Sequence, residues 1–304
     1  MDKNLKSGET VARLVDIIND VNPLQGKQLQ HLEKELSLEE LKALEELISF
    51  YQIQGDSLER QADSYLRFVA DTMRETKYFF EHDTYRYHTF DEVARHVYFD
   101  RAYMHDYMQG LGISQYLWPQ HLSCIRFFHE ICVNQQKVRD YLEIGPGHGQ
   151  YLREAVRSDI AEQYTALDIS ETSLEFTKRL IDHFIPEKGK FVQYECGDAS
   201  QGDMAGKYNF IVLCEVLEHV EHPLELLQNL RKLLVPGGHA FVSVPVNGPA
   251  VDHIYLFRTV DEATAMAGQA GFKVVEQRAF LTGKRSLEWA VKNKDAILVA
   301  MLLE

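Results

Sequence analysis

The feature that most constrains this chain is the run at 139–149, where an apolar stretch through Leu142 and Ile144 passes straight into glycines at 145, 147 and 149. A helix-forming segment then begins at Gln150. Glycines at alternate positions let the backbone take positive φ and pass close to a ligand, and a helix start offers free N–H groups. A strand, a glycine turn and a helix in this order belong to a parallel α/β sheet, and the turn is shaped to hold a nucleotide-like ligand.

Downstream the same alternation continues. Residues 164–169 read as a second strand, with Ser170 capping a helix through Phe176 and Leu180. Residues 191–196 read as a third, followed by Gly197, Asp198 and Ala199. The fourth, 208–214, is apolar enough to be buried on both faces. Pro223 suits the first position of a helix running through Leu226, Leu227, Leu230 and Leu234 and stopping at Pro236, Gly237 and Gly238. A fifth strand at 239–244, a helix opened by the capping pair Thr259 and Glu262, and two closing strands at 272–276 and 296–301 complete the series. The fold expected is a doubly wound, Rossmann-like α/β sheet with ligands at the carboxyl ends of its strands.

The first 112 residues read differently. Ser37 and Glu40 form a capping box ahead of Leu38, Leu41, Leu44, Leu47 and Ile48 at helical spacing. A second helix is expected from near Asp56 to about Phe80, and Thr89 with Glu92 opens a short one through Val97. Residues 22–26 and 82–84 look like turns. The division expected is therefore a helical N-terminal region, 1–112, and an α/β domain, 113–304. The segments 98–108 and 115–121 are dense in Tyr, Met, His and Trp. Such side chains suit a small-molecule pocket, or equally a seam that packs the helices onto the next domain.

Bulk properties exclude some partners. A formal net charge of −14 over 304 residues argues against a nucleic-acid partner, which normally requires a basic footprint. The cysteines Cys124, Cys132, Cys196 and Cys214 lack C-x-x-C spacing and read as free thiols of a reducing cytoplasm. Residues 1–6 have no apolar signal core, and no run approaches the roughly 18 apolar residues of a membrane span.

Spacing also bears on the ligand. A dinucleotide turn has the form G-x-G-x-x-G, but the position for the third glycine is Gln150, and Glu143 precedes the turn. A carboxylate there repels a pyrophosphate and suits a cationic amino group or sulfonium. Asp168, about twenty residues beyond the turn, stands where an acidic side chain accepts ribose hydroxyl protons, and Asp198 is placed to accept from an adenine amino group.

Taken together these residues resemble the class I S-adenosylmethionine-dependent methyltransferases over 114–304. Leu142 through Gly149 match the family's first motif, E/D-x-G-x-G-x-G. Asp168 with Ile169 resembles its ribose-binding position, and Gly197, Asp198 and Ala199 its adenine loop. Cys214, Glu215, Val216, Leu217, Glu218, His219 and Val220, followed by Pro223, resemble the strand-four segment of the branch that methylates small molecules. Residues 233–238 resemble the turn before strand five. The resemblance implies seven strands, the last antiparallel and inserted between the fifth and sixth. It implies S-adenosylmethionine as cofactor and S-adenosylhomocysteine as product, held by Glu143, Gly145, Gly147, Gly149, Asp168, Ile169, Asp198, Ala199, Cys214 and Glu215. The helical region matches no family pattern and is expected to be an acceptor lid or a homodimer surface.

Methyl transfer to a hydroxyl needs a base. His219, just past strand four, is the first candidate, and the resemblance implies that this segment lies near the transferred methyl; a packing role beneath the cofactor is the alternative. His253 and Tyr255, in the loop 245–257, are reserves. His222 is expected to face solvent at a helix start, and His148 to shape the turn. Asp252 stands near the pocket, but no convergent set of oxygen ligands is evident, so metal independence is expected. The function expected is methyl transfer to an oxygen or nitrogen of a small molecule. The alternatives are an S-adenosylmethionine-binding assembly protein with a partner-binding helical domain and an NAD(P)-dependent oxidoreductase, the latter disfavoured by Gln150 and Glu143.

Overall fold

Downstream of residue 137 the chain alternates β1 (Val138–Ile144), α8 (Gln150–Arg157), β2 (Ala161–Asp168), α9 (Glu171–Phe184), the short α10 (Pro186–Gly189), β3 (Val192–Cys196), β4 (Tyr208–Cys214), α11 (Pro223–Leu233), β5 (Leu234–Val246), α12 (Val260–Gln269), β6 (Val274–Leu281), α13 (Leu287–Asn293) and β7 (Ile297–Leu303). The computed structural model describes residues 8–33, 35–199 and 208–304. The N-terminal stretch 1–6 lies outside the described residues.

One sheet results, in the order β3-β2-β1-β4-β5-β7-β6. β7 runs antiparallel to both β5 and β6, while β1 to β5 are mutually parallel. The inserted antiparallel last strand is the topology expected. Several boundaries differ: β2 begins at Ala161, β5 at Leu234, and β6 runs on to Leu281. α11 ends at Leu233, because Leu234 already pairs with Tyr208, and the Pro236–Gly238 turn is a break in register before pairing resumes at His239 with Phe210. The polar excursion between the closing strands holds α13, capped by Ser286.

Strand alternation sorts the side chains into two layers. Leu142, Ile144, Ile211, Leu213, Val242 and Val244 pack with Leu226, Leu230, Ala263 and Ala267 of α11 and α12. Tyr141, Phe210, Val212 and Phe241 pack on the other face with Tyr151 and Leu152 of α8 and with Phe127 and Phe128. Each such aromatic or aliphatic side chain contributes on the order of 1.5–3 kcal/mol by burial.

The N-terminal helices are α1 (Glu9–Val21), α2 (Pro23–Glu33), α3 (Leu38–Ile53), α4 (Leu58–His82), α5 (Phe90–Ala94), α6 (Arg101–Leu117) and α7 (Pro119–Asn134). Ser37 and Glu40 make the reciprocal capping box of α3. The turn expected at 22–26 shrinks to Asn22, since Pro23 is already helical, as its fixed φ permits. Position 112, the expected division, falls inside α6. Gly110 and Gly112 do not break that helix but let neighbours approach it. A Cβ on Gly110 would lie 2.7 Å from the Ser64 carbonyl, and one on Gly112 would lie 2.5 Å from the Tyr51 hydroxyl. The break comes at Trp118, extended because Pro119 follows it. Phe176 and Leu180 of α9 and Val251 of the loop after β5 complete the apolar core of these helices, so the helical region is seated directly over the carboxyl edge of the sheet.

Candidate active site

A cavity of about 690 Å³ lies where the helices meet that edge, within the usual range for a small-molecule site. Its sheet-side wall is largely backbone. Gly145, Gly147 and Gly149 have φ of 67°, 50° and 74°, a region that side chains strongly disfavour. A Cβ on Gly145 would come within 2.6 Å of Val216 Cγ2. The turn is fixed at its far end by His148, whose Nδ1 accepts from the Gln150 N–H at 3.1 Å. This is the shaping role expected of His148.

Asp168, Ile169, Asp198, Ala199, Cys214 and Glu215 line the cavity with Gly145 and Gly147. Asp168 accepts from the Ser170 N–H at 2.8 Å, and burial pushes its pKa up to about 6. Glu215, at φ 52°, accepts from the Ser243 hydroxyl at 2.9 Å, and burial raises its carboxyl to about 7. Gly149 stands one step back, against Leu180 and Thr177.

Glu143 departs from expectation. Alternation along β1 puts it on the same face as Tyr141, under α8, and it is not among the residues lining the cavity. It is 2% exposed and accepts from the Tyr141 hydroxyl at 2.5 Å. Burial pushes its pKa up to about 8, against the pull of the Tyr141 hydroxyl and the Leu152 N–H. A direct charge contact with a cationic ligand is therefore replaced by a structural role beneath the turn.

The opposite wall is side chain. α4 contributes Phe68, Thr72, Thr76 and Phe79, and α6 contributes Met104, Tyr107, Met108 and Gln115, with Tyr98 and Trp118 from the connecting segments. The aromatic segment is both pocket and seam, because Tyr103 turns away to donate to Asp71 at 2.7 Å. The α4 stripe escaped the sequence reading, although positions 68, 72, 76 and 79 repeat at helical spacing. Tyr98 and Tyr107 donate to the two oxygens of Asp252 at 3.1 and 3.2 Å, tying the helical region to the loop after β5.

Between the walls sits a titratable cluster. His219, in the 3-10 turn Leu217–His219 after β4, and His253 have ring centroids 4.8 Å apart. His219 Nδ1 lies 3.1 Å from the Asp252 carbonyl and its Nε2 lies 3.5 Å from Glu218. His253 Nδ1 lies 2.7 Å from the Gly248 carbonyl and its Nε2 lies 3.8 Å from the same Glu218 oxygen. Burial pushes the His253 imidazole down to about 3 and the Glu218 carboxyl well above the usual carboxylate range. His219 and His253 line the cavity; His222 is exposed at the start of α11, on the cavity rim. Tyr255 departs from expectation: it is not among the cavity residues, packs on Phe257 and is engaged by Glu262.

Comparison with known proteins decides the family. A model described as "Methyltransferase domain" matches residues 119–298, more than half of the chain. This chain belongs to that methyltransferase family. It carries an S-adenosylmethionine-dependent methyltransferase domain, and its cavity offers groups of the kind such a cofactor needs: an acidic side chain at the end of β2, a glycine turn with no Cβ in the way, and a second loop at Gly197–Ala199. Among curated relatives, a ubiquinone biosynthesis O-methyltransferase from Caulobacter vibrioides is 34% identical over 151 residues, 47% of this chain and 57% of that protein. A fusarielin synthase from Gibberella zeae is 34% identical over 113 residues, 36% of this chain and 4% of that protein. The chain thus spans well under two thirds of either relative. Among solved structures, the N-methyltransferase NodS from Bradyrhizobium japonicum superposes with a TM-score of 0.47 at 16% identity, covering 60% of this chain and 87% of that one. No helix among the described residues of this methyltransferase is long and apolar enough to cross a membrane.

Proposed function

We propose that this methyltransferase carries the methyl group of S-adenosylmethionine to an oxygen or nitrogen atom of a small-molecule acceptor, with a hydroxyl the acceptor that best uses the site. The observation that carries this reading is one cavity in which the glycine turn and Asp168 face the half-buried His219 with Asp252 and His253, the fully buried Glu218 standing behind the two imidazoles, under an aromatic roof. The cofactor supplies an electrophilic methyl on a sulfonium. Asp168 would hold the ribose hydroxyls and the Asp198 loop the adenine. The positive-φ glycines keep side chains out of the cofactor's path. The roof of Phe68, Tyr98, Tyr107 and Trp118 holds the acceptor and excludes water, and alignment of this kind is worth about 7–11 kcal/mol in well-oriented reactions. His219 Nε2, with its Nδ1 proton held by the Asp252 carbonyl, is the lone pair that takes the acceptor's proton, a contribution of roughly 10²–10⁴-fold.

Small acceptors are favoured over nucleic acid by the net charge of −14 and by the enclosed, aromatic roof. The four free cysteines support a reducing, cytoplasmic setting. The name of the Caulobacter relative supports oxygen as the receiving atom. The test is incubation with S-adenosylmethionine and a panel of phenols, alcohols and amines, scored by mass spectrometry for gain of one methyl. A methylated phenol or alcohol is expected, with His219→Ala lowering turnover far more than cofactor affinity. Tight cofactor binding with no methylated product from any class would overturn this reading in favour of an assembly role.

A further inference from the structure

We propose that Glu218, His219 and His253 form a binding site for a divalent transition-metal ion at the edge of the cavity. The expectation of metal independence rested on a search for converging oxygen ligands. Folding instead brings together two imidazoles and one carboxylate, whose ligand atoms all lie within 4.8 Å of one another.

Three observations point the same way. First, both imidazoles have their tautomer set from behind. His219 Nδ1 faces the Asp252 carbonyl at 3.1 Å, and His253 Nδ1 faces the Gly248 carbonyl at 2.7 Å. A carbonyl only accepts, so each Nδ1 carries the proton and each Nε2 is left as a bare lone pair. An imidazole that donates its outer N–H to a backbone carbonyl is the arrangement that orients metal-ligating histidines. Second, those two lone pairs converge on one atom, Glu218 Oε1, at 3.5 and 3.8 Å. Third, Glu218 is 0% exposed, and neither of its carboxylate oxygens has a hydrogen-bond partner among the described residues.

Two imidazole lone pairs and a buried carboxyl converge here with no hydrogen bond between them, an arrangement that suits a positive occupant. A proton on Glu218 satisfies at most one imidazole, and at 3.5 and 3.8 Å neither contact is a hydrogen bond. A metal ion satisfies all three. Ligand atoms about 2.0–2.2 Å from one ion in tetrahedral geometry lie roughly 3.3–3.6 Å from each other, so the two imidazole–carboxylate pairs already stand near that separation, and the widest pair of the set, within 4.8 Å, draws together on binding. Two imidazoles with one carboxylate suit zinc, iron(II), cobalt or manganese better than magnesium or calcium, which prefer oxygen alone.

Three protein ligands leave coordination positions open toward the cavity, the form of a catalytic rather than a structural site. The role of the ion, though not its binding, rests on the methyl-transfer reading. An acceptor hydroxyl bound to it loses its proton to solvent, and the freed oxygen pair forms the new O–CH₃ bond as the S–CH₃ pair returns to sulfur. Metal coordination lowers the pKa of a bound O–H group strongly. With the ion in place His219 is a ligand, and the ion takes over the task assigned above to its imidazole.

The test is calorimetric titration of chelator-treated, full-length protein with Zn²⁺ and with Co²⁺, beside a separate titration with S-adenosylmethionine. One ion per chain is expected, with a cobalt visible spectrum typical of mixed nitrogen and oxygen ligation. Glu218→Gln and His253→Ala should each weaken Zn²⁺ binding at least about 100-fold, since loss of a mere supporting contact already costs about 10–100-fold. Both should keep their cooperative melting and their affinity for S-adenosylmethionine. No saturable binding of either ion to the wild type, or equal binding to the two variants, overturns the site. Should a variant not fold, X-ray absorption of the zinc-loaded wild type decides: coordination by two imidazoles is expected, and none overturns it. Zinc binding without S-adenosylmethionine binding would instead sink the methyl-transfer reading and leave the site standing.

Discussion

On the sheet side of the cavity the wall is made of Gly145, Gly147 and the ends of β2 and β4, residues whose positions follow from pairing within one sheet. On the helical side the wall is made of Phe68, Thr72, Tyr98, Tyr107 and Trp118, side chains from helices and connections that reach the site from far along the chain. The sheet side shapes space by leaving atoms out, and the helical side by putting atoms in. The difference predicts opposite mutational behaviour: additions should damage the first wall, and deletions should damage the second.

The largest effect should come from adding one methyl group. Gly145→Ala forces a side chain onto a φ of 67° and drives its Cβ to 2.6 Å from Val216 Cγ2. Strain of this kind costs about 1–3 kcal/mol, which corresponds to roughly 5- to 150-fold weaker S-adenosylmethionine binding when relief requires the turn to move. Calorimetry measures it. An affinity within twofold of wild type would show that the turn does not hold the cofactor.

Asp168→Ala should follow. A hydrogen bond to a charged group is worth about 1.5–3 kcal/mol, so cofactor binding should weaken about tenfold or more. Because burial holds the Asp168 pKa at about 6, only its ionised form, dominant above that pH, can accept from both ribose hydroxyls. Wild-type affinity should therefore fall as pH drops from 7 to 5, and the alanine variant should lose that dependence.

Glu143→Gln separates residues that support the sheet wall from residues that face the ligand. Its folded pKa of about 8 lies above the ordinary glutamate value, so its contribution to stability is fully present at low pH and is lost as pH rises toward 8. The slope is at most about 1.4 kcal/mol per pH unit. The window to use is about pH 6.5 to 8, where Glu215 and Glu218, also raised by burial, add to the same downward slope. Below it His121, His148 and His253, held by burial at about 4, about 3 and about 3, favour the unfolded state as they charge. Denaturant midpoints against pH should slope downward for wild type in this window and less steeply for the glutamine variant, which keeps the share due to Glu215 and Glu218. Cofactor affinity should change little, and a tenfold loss would return Glu143 to the cofactor site.

Tyr107→Phe probes the opposite wall. It removes one of two donors to Asp252, a loss of about 1 kcal/mol. Acceptor kcat/KM should fall about fivefold, with S-adenosylmethionine affinity unchanged.

The same contrast explains what the sequence made legible. The glycine turn, the strand ends and the order of the sheet are encoded in short runs, and 142–149 alone locates the donor wall. Even the side of the sheet that takes Glu143 is contained in the alternation Tyr141, Leu142, Glu143, Ile144, but charge complementarity is a weaker guide than the pleat. The helical wall is encoded in pairs 145 and 154 residues apart, Tyr107 and Tyr98 with Asp252, and no local pattern announces such a pair. Position 112, the expected division, lies inside α6, whose Gly110 and Gly112 are weak helix formers by propensity. Contact with Ser64 and Tyr51 turns the same two glycines into packing points. The Glu218, His219 and His253 set was hidden for a related reason, since two of its members are adjacent and the third arrives from the loop after β5.

The smallest effect expected is at Tyr255. Its place in the loop after β5, two residues beyond His253, marked it as a reserve base, yet its ring packs on Phe257 with centroids 4.8 Å apart and its hydroxyl is engaged by Glu262. Burial and Glu262 both raise its pKa above the ordinary tyrosine value, which removes the phenolate a base would need at neutral pH. Tyr255→Phe keeps the ring contact and loses only a half-exposed hydroxyl, so turnover, cofactor affinity and stability should all stay within about twofold. His253→Ala, two positions earlier, should abolish tight zinc binding. A large loss of turnover in Tyr255→Phe would move the proton-handling part of the site from the Glu218 cluster to the far side of the loop, and the division between the two walls would have to be redrawn there.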